Sequence, residues 1–295
     1  MAANIIDGKK IAETMRNEIR EEVIKLKKCG VTPGLGVILV GDNPASKSYV
    51  TAKEKACMEA EMYSEDNRLP ATTSQEELIA HIKRLNNDPR IHGILLQLPL
   101  PKHMNESEAI MAIAPEKDVD GFHPVNVGKM VIGEKTFLPC TPHGVVKLLE
   151  KIKAKVSGSH VVVVGRSNIV GKPVAILLMQ KKENANATVT VCHTGTKNMA
   201  YFTRQADILI VAAGKPNTIN ADMIKEEAIV IDVGVNRIED HTKKTGFRLV
   251  GDVDFDSVTQ KASWITPVPG GVGPMTITML LYNTLESARN FAEVR

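Results

Sequence analysis

The sequence predicts an α/β protein of two lobes, the C-terminal one built on a Rossmann-like parallel sheet. Short, almost purely apolar runs recur along the chain: "LGVILV" (35–40), "HVVVVG" (160–165), "DILIVAAG" (207–214) and "AIVIDVG" (228–234). Helix-patterned stretches separate them. Strands this apolar are buried on both faces, as in a parallel sheet covered by helices. The third observation is length, since 295 residues suffice for two domains.

In chain order, Ile11, Met15, Ile19, Val23 and Leu26 step by three or four, predicting an amphipathic helix over 8–28 that ends near Gly30. After the strand at 35–40, Asn43 is placed to cap a helix that Pro44 opens. Ser74 and Glu77 form a capping box ahead of Leu78, Ile79, Ile82 and Leu85. "IHGILLQL" (91–98) is a second buried strand, followed by the turn-forming "PLPKH". Thr141 and Pro142 start a helix whose inner side carries Val145, Val146, Leu148, Leu149 and Ile152. The strand at 160–165 leads to a helix from about 171, then strands at 187–192, 207–214 and 228–234. "PVPGGVGPMTITMLLYNTLESA" is a glycine-rich turn running into a helix started by Pro274. The expected boundary falls at 120–140, with the last helix returning to the first lobe: residues 1–139 plus 272–295 against 140–271.

Composition narrows the function. A net charge of +3, no long Lys/Arg run and only one tryptophan, four tyrosines and six phenylalanines argue against nucleic acid. No apolar stretch reaches the ~20 residues of a membrane helix. "MAANIIDGKK" lacks the apolar core of a signal peptide. Cys29, Cys57, Cys140 and Cys192 are widely spaced, and the histidines show no metal-ligand spacing. The expectation is a cytoplasmic protein with reduced thiols and no metal.

Several motifs could carry chemistry. In "SYVTAKEKACMEA" (48–60), Tyr49 and Lys53 are four apart and share one side of a helix. Spacing alone leaves Lys53 either an ordinary surface lysine or a lysine held in a pocket. In "VVVVGRSNIVGKP" (161–173), a buried strand ends at Gly165, a polar turn follows with Arg166 and Ser167, and Gly171 introduces a helix. That is where a pyrophosphate sits on a helix N-terminus, although a plain strand-to-helix turn reads the same way. The spacing is neither G-x-G-x-x-G nor a Walker loop. The next strand ends "VCHTGTKN", with Thr194 and no carboxylate. A carboxylate there would receive the ribose of NAD and repel a 2′-phosphate, so its absence, with Arg166, favours NADP over NAD. Gln97 interrupts the end of an apolar strand, either as a ligand or as an amide satisfied by a neighbouring loop. Asp118 and Asp120 flank a valine before Gly121, where a turn or helix cap is the plain reading. "TPVPGGVGPMT" (266–276) holds so many prolines and glycines that close approach to a ligand is favoured over a mere connector.

Together, "IIDGKKIA", "GDNPASKSYVTAKEKA", "GILLQLPLP", "PEKDVDGFHPVNVG", "VVVVGRSNIVGKPVAILL" and "ITPVPGGVGPMT" resemble the bifunctional methylenetetrahydrofolate dehydrogenase/methenyltetrahydrofolate cyclohydrolases, the FolD-like family. The resemblance covers essentially the whole chain. It implies a folate cleft between the lobes, tetrahydrofolate derivatives as substrates, NADP as cofactor, and a homodimer in one-carbon metabolism. Lys53 matches the lysine that shuttles a proton in the cyclohydrolase step, and Gln97 the residue that orients it. A lysine near its usual pKa is a poor base, and partial burial with a cationic substrate would penalise its ammonium. Tyr49 matches the ring packed along the folate, and Asp120 the carboxylate that reads the pterin. Gly271, Gly273 and Pro274 match the loop lining the folate side. Gly165, Arg166, Ser167, Gly171 and Thr194 match the cofactor side. The family often has Ser and then a basic residue after Cys-His; here Thr194 and Gly195 stand there, one positive charge fewer, with NAD as the alternative cofactor.

Overall fold

The computed structural model describes residues 2–243 and 246–293. The chain divides into two compact units: Met1–Ala12 with Thr141–Thr276, and Glu13–Cys140 with Ile277–Arg295. It opens with β1 (Asn4–Ile5) and α1 (Gly8–Lys28), followed by β2 (Gly34–Val40), α2 (Pro44–Glu59), β3 (Tyr63–Leu69), α3 (Gln75–Asn87) and β4 (Gly93–Leu96). Next come α4 (Glu106–Ala112), α5 (Pro124–Ile132), α6 (Cys140–Lys151), β5 (His160–Val164), α7 (Gly171–Met179), β6 (Thr188–Cys192), α8 (Met199–Thr203), β7 (Ile208–Val211) and β8 (Ile229–Asp232). The chain closes with β9 (Asn236–Glu239), β10 (Phe247–Val250), α9 (Phe255–Val258), β11 (Trp264–Ile265) and α10 (Val272–Glu293).

In the unit of residues 13–140 and 277–295, a three-stranded sheet runs in the order β3-β2-β4, parallel throughout. Every residue of β2 and β4 is buried. Ile38, Val40, Ile94 and Leu96 pack against Leu78, Ile82 and Leu85 of α3, the helix opened by the Ser74–Glu77 capping box. β3 has no apolar pattern; "YSEDNRL" nonetheless pairs over its full length with β2. Arg84 of α3 pairs with Glu65 of β3 at 2.5 Å, and Arg68 pairs with Asp66 within the strand at 2.5 Å.

In the other unit, six strands run β1-β11-β8-β7-β5-β6, all parallel. Strand order reverses at β5, which lies between β6 and β7 although it precedes both. Ligands of doubly wound sheets bind at the carboxyl ends of strands at such a switch point. Residues 1–12 belong to this unit, whereas the sequence placed them with the other lobe. The cause is local. Two-residue β1 pairs with β11, and Gly8 lies so close to the Gly271 carbonyl that any Cβ there would overlap it. β9 and β10 form a separate antiparallel hairpin. α10 begins at Val272, two residues ahead of the Pro274 start read from the sequence.

Candidate active site and cofactor site

α2 begins at Pro44, as the sequence predicts, and the Asn43 side chain accepts the Ser46 N–H at 3.2 Å. The helix carries Tyr49 and Lys53, but not on a uniformly buried face. Tyr49 is 44% exposed, whereas Lys53 is 8% exposed. The Lys53 ammonium donates to Gln97 Oε1 at 3.1 Å. Gln97 lies one residue past β4 rather than within it. Its backbone N–H bonds the Ile38 carbonyl at 2.9 Å, and its Nε2 donates to the Leu98 carbonyl at 2.7 Å. Those bonds fix the amide with its oxygen toward Lys53. Lys55, two residues on, is a surface lysine facing Glu59 at 3.7 Å.

The structure separates two aspartates that the turn motif alone left equivalent. Asp118 is buried and holds its own loop: Oδ1 accepts the Phe122 N–H at 3.2 Å, and Oδ2 accepts the His123 N–H and Asn126 Nδ2, each at 2.8 Å. Burial pushes its pKa up to about 6 against the pull of those donors. Among the described residues no backbone N–H donates to the Asp120 carboxylate. It keeps some exposed surface, yet protein crowds the carboxyl closely enough that burial raises its pKa, while the Lys53 ammonium and the Cys140 thiol draw it back. Two close approaches place this loop. A Cβ on Gly93 would stand 2.6 Å from Val119 Cγ1, and one on Gly121 would stand 2.6 Å from the Leu138 carbonyl carbon. Asn283 of α10, which the sequence did not single out, donates to the carbonyls of Val119 at 2.8 Å and Leu138 at 3.0 Å. Lys53, Gln97 and Asp120 thus belong to one unit, with Tyr49 on the same helix.

The other predicted residues lie in the sheet unit. Gly165 directly follows β5 with φ of 128° and abuts the Ala212 backbone. Gly171 opens α7 directly against Gly165: a Cβ there would stand 2.5 Å from the Gly165 carbonyl carbon and 2.9 Å from the Arg166 nitrogen. Ser167 Oγ accepts the N–H of Val170 at 3.1 Å and of Gly171 at 3.4 Å, so it shapes the turn itself. Arg166 is exposed, and its Nη1 lies 3.4 Å from His193 Nε2. His193 Nδ1 accepts the Gly195 N–H at 3.1 Å. Arg166 and His193 thus meet at the end of β6, beside exposed Thr194. Sequence reasoning passed over His193 because its partner is 27 residues away. Gly271, Gly273 and Pro274 also fall in this unit: Gly271 is buried against the Pro267 carbonyl and the Thr266 side chain, whereas a Cβ on Gly273 would meet open space.

With this geometry in hand, comparison with known proteins is decisive. Residues 6–120 match the tetrahydrofolate dehydrogenase/cyclohydrolase catalytic domain, and residues 139–292 match the NAD(P)-binding domain of the same enzymes. The chain belongs to the tetrahydrofolate dehydrogenase/cyclohydrolase family. The bifunctional protein FolD of Bacillus anthracis is 60% identical over 289 residues, 98% of each chain. The crystal structure of the bifunctional FolD of Campylobacter jejuni superposes with a TM-score of 0.93 at 50% identity, covering 98% of this chain and 100% of that one. The Trypanosoma brucei enzyme, solved with NADP cofactor and an inhibitor, gives a TM-score of 0.94 at 42% identity, covering 100% and 99%. Residues 13–120 of the catalytic-domain match lie in one unit, and residues 141–276 of the NAD(P)-binding-domain match lie in the other.

Among the described residues no group of His, Cys, Asp and Glu is arranged to hold a metal ion, and no helix is long and apolar enough to cross a membrane.

Proposed function

We infer that the chain is a bifunctional one-carbon folate enzyme. It oxidises 5,10-methylenetetrahydrofolate to 5,10-methenyltetrahydrofolate with NADP⁺ and hydrolyses that product to 10-formyltetrahydrofolate. The observation that carries this reading is the buried Lys53 ammonium on the Gln97 amide, in the unit that matches the catalytic domain.

The two reactions ask different things of the protein. Oxidation removes a hydride from the carbon bridging two folate nitrogens and leaves an amidinium cation that those nitrogens stabilise. No proton need leave, so orientation suffices. Bound NADP⁺ supplies the hydride acceptor. The residues present fit that cofactor: Gly165 and Gly171 let the backbone of the turn close tightly at the end of β5, and the exposed Arg166 guanidinium, with the His193 ring 3.4 Å away, suits a 2′-phosphate. Thr194 and Ser167 add hydroxyls at the same strand ends. Hydrolysis adds water to the cation, which releases a proton, and then breaks a carbon–nitrogen bond whose nitrogen takes one up. Lys53 moves that proton, oriented by Gln97. Asp120 accepts paired N–H groups of the pterin, the Tyr49 ring packs along the folate, and Gly271, Gly273 and Pro274 belong to a folate-side loop. The resemblance also supports a homodimer in the cytoplasm, whose 10-formyl product serves purine biosynthesis. A dimer mass by light scattering at micromolar concentration is expected, and a monomer would contradict it.

The direct test compares kcat/KM for NADP⁺ and NAD⁺ with methylenetetrahydrofolate, following the reduced cofactor. A clear NADP⁺ preference, lost in Arg166→Ala, is expected. Equal values for the two cofactors would refute the role of Arg166.

A further inference from the structure

Two buried carboxylates in the sheet unit have no part in the chemistry above. Asp232 ends β8 and is 4% exposed; Asp252 follows β10 and is fully buried. Each accepts N–H donors on both of its oxygens. Asp232 Oδ1 accepts the N–H of Gly234 and of Asp252, and Oδ2 that of Val253, each at 3.0 Å. Asp252 Oδ2 accepts the N–H of Ala213 at 2.7 Å and Gly214 at 2.8 Å, and Oδ1 accepts Asn236 Nδ2 at 2.8 Å.

The sequence pattern behind this is reciprocal. "DVG" (232–234) and "GDV" (251–253) each supply one aspartate and one glycine. A Cβ on Gly234 would overlap the Asp252 carboxylate, and a Cβ on Gly251 would overlap that of Asp232. Each glycine makes room for the other segment's carboxylate.

We propose that Asp252, held by Asp232, is a positioning residue for the cofactor site, because it fixes the Ala213–Gly214 loop against the Gly165 turn. The contacts form an unbroken path. Asp232 pins residues 252–253, Asp252 pins Ala213 and Gly214, and Ala212 is the residue on which Gly165 packs, its carbonyl carbon 2.9 Å from where a Gly165 Cβ would be. β5 and β7 flank the point at which strand order reverses, so this loop borders the expected dinucleotide crevice. A carboxylate suits the task better than an amide. It can accept from two backbone N–H groups on one oxygen and from Asn236 on the other, whereas an amide must turn a donor toward one of them.

The inference rests on NADP binding by this unit; NADP⁺ reduction by the unmodified enzyme checks that separately. The test is steady-state kinetics of Asp252→Asn, Gly234→Ala and the double variant Asp252→Asn/Asn236→Asp, with circular dichroism as a check on folding. For Asp252→Asn the expected result is a KM for NADP⁺ raised at least about tenfold, with the KM for methylenetetrahydrofolate within about twofold, as lost hydrogen bonds at one site imply. Gly234→Ala should give the same split, since it displaces the carboxylate without removing its charge. The double variant restores a donor–acceptor match between 236 and 252 and should recover part of the lost NADP⁺ affinity. Equal rises in both KM values, or unchanged values in folded Asp252→Asn, would overturn the proposal. If Asp252→Asn does not fold, the split in Gly234→Ala decides: its presence supports the positioning role and its absence overturns it.

Discussion

Replacing Gly171 by Ala tests the cofactor turn with a single methyl group. The new Cβ would stand 2.5 Å from the Gly165 carbonyl carbon and 2.9 Å from the Arg166 nitrogen, with backbone at both contacts. No side chain can swing aside, so the turn itself must retreat. Restoring ordinary contact requires roughly 1 Å of movement, and misplacements of that size in a positioned site cost on the order of 100-fold in rate. Overpacking of this kind costs about 1–3 kcal/mol. The displaced segment is the one carrying Arg166 and Ser167, so the damage should fall on the dinucleotide. The assay is NADP⁺ reduction at saturating methylenetetrahydrofolate, with NADP⁺ varied. We expect kcat/KM for NADP⁺ to fall between about 10-fold and 100-fold, most of it in KM. A folded Gly171→Ala protein with an unchanged NADP⁺ dependence would show that the 165–171 turn does not bear the cofactor.

Gly93→Ala presses a methyl group to 2.6 Å from Val119 Cγ1, next to Asp120, and should raise the KM for the folate substrate several-fold; steady-state kinetics with varied folate would show it. Lys55→Ala removes an exposed pair with Glu59 and should leave both activities within about twofold, in contrast to its neighbour Lys53. Asp118 gives stability a pH dependence of defined sign. Its folded pKa, about 6, lies above the unfolded carboxylate value, so the folded state binds this proton more tightly. The contribution is therefore fully present below the unfolded value and lost as pH rises through 6. Asp232 and Glu54, raised to about 6 and about 7, titrate in the same window, so denaturant midpoints at pH 5 and pH 7 should fall in both proteins and fall further in the wild type than in Asp118→Asn.

Much of this was legible in the sequence because burial leaves a compositional trace. β2, β4, β5, β7 and β8 are short apolar runs, and the Ser74–Glu77 box marks the start of α3. β3 was not legible: "YSEDNRL" is charged, and only its ladder to β2 and its ion pairs reveal it. The attachment of residues 1–12 was hidden because a two-residue strand has no period. Lys53 shows what spacing can and cannot do. The i,i+4 relation to Tyr49 put both on α2, but the assumption of one common environment failed, since the helix exposes the ring and buries the ammonium. The aspartates differ for a similar reason. Asp118 and Asp120 sit two apart in one turn, and only three-dimensional partners show that the first is spent on backbone N–H groups while the second is left facing Lys53. The Asp232–Asp252 lock escaped notice because its halves are 20 residues apart and each reads as an ordinary strand end.

The central claim is that buried Lys53, held by Gln97, moves the proton in the hydrolytic step. Lys53→Met keeps the length of the side chain and removes the ammonium. The measurement is hydrolysis of 5,10-methenyltetrahydrofolate by this variant, with folate binding checked by titration. Positioned acid–base catalysis contributes about 100-fold to 10,000-fold, so a loss of at least 100-fold with folate binding still measurable is the expected result. Hydrolysis at the wild-type rate would contradict it.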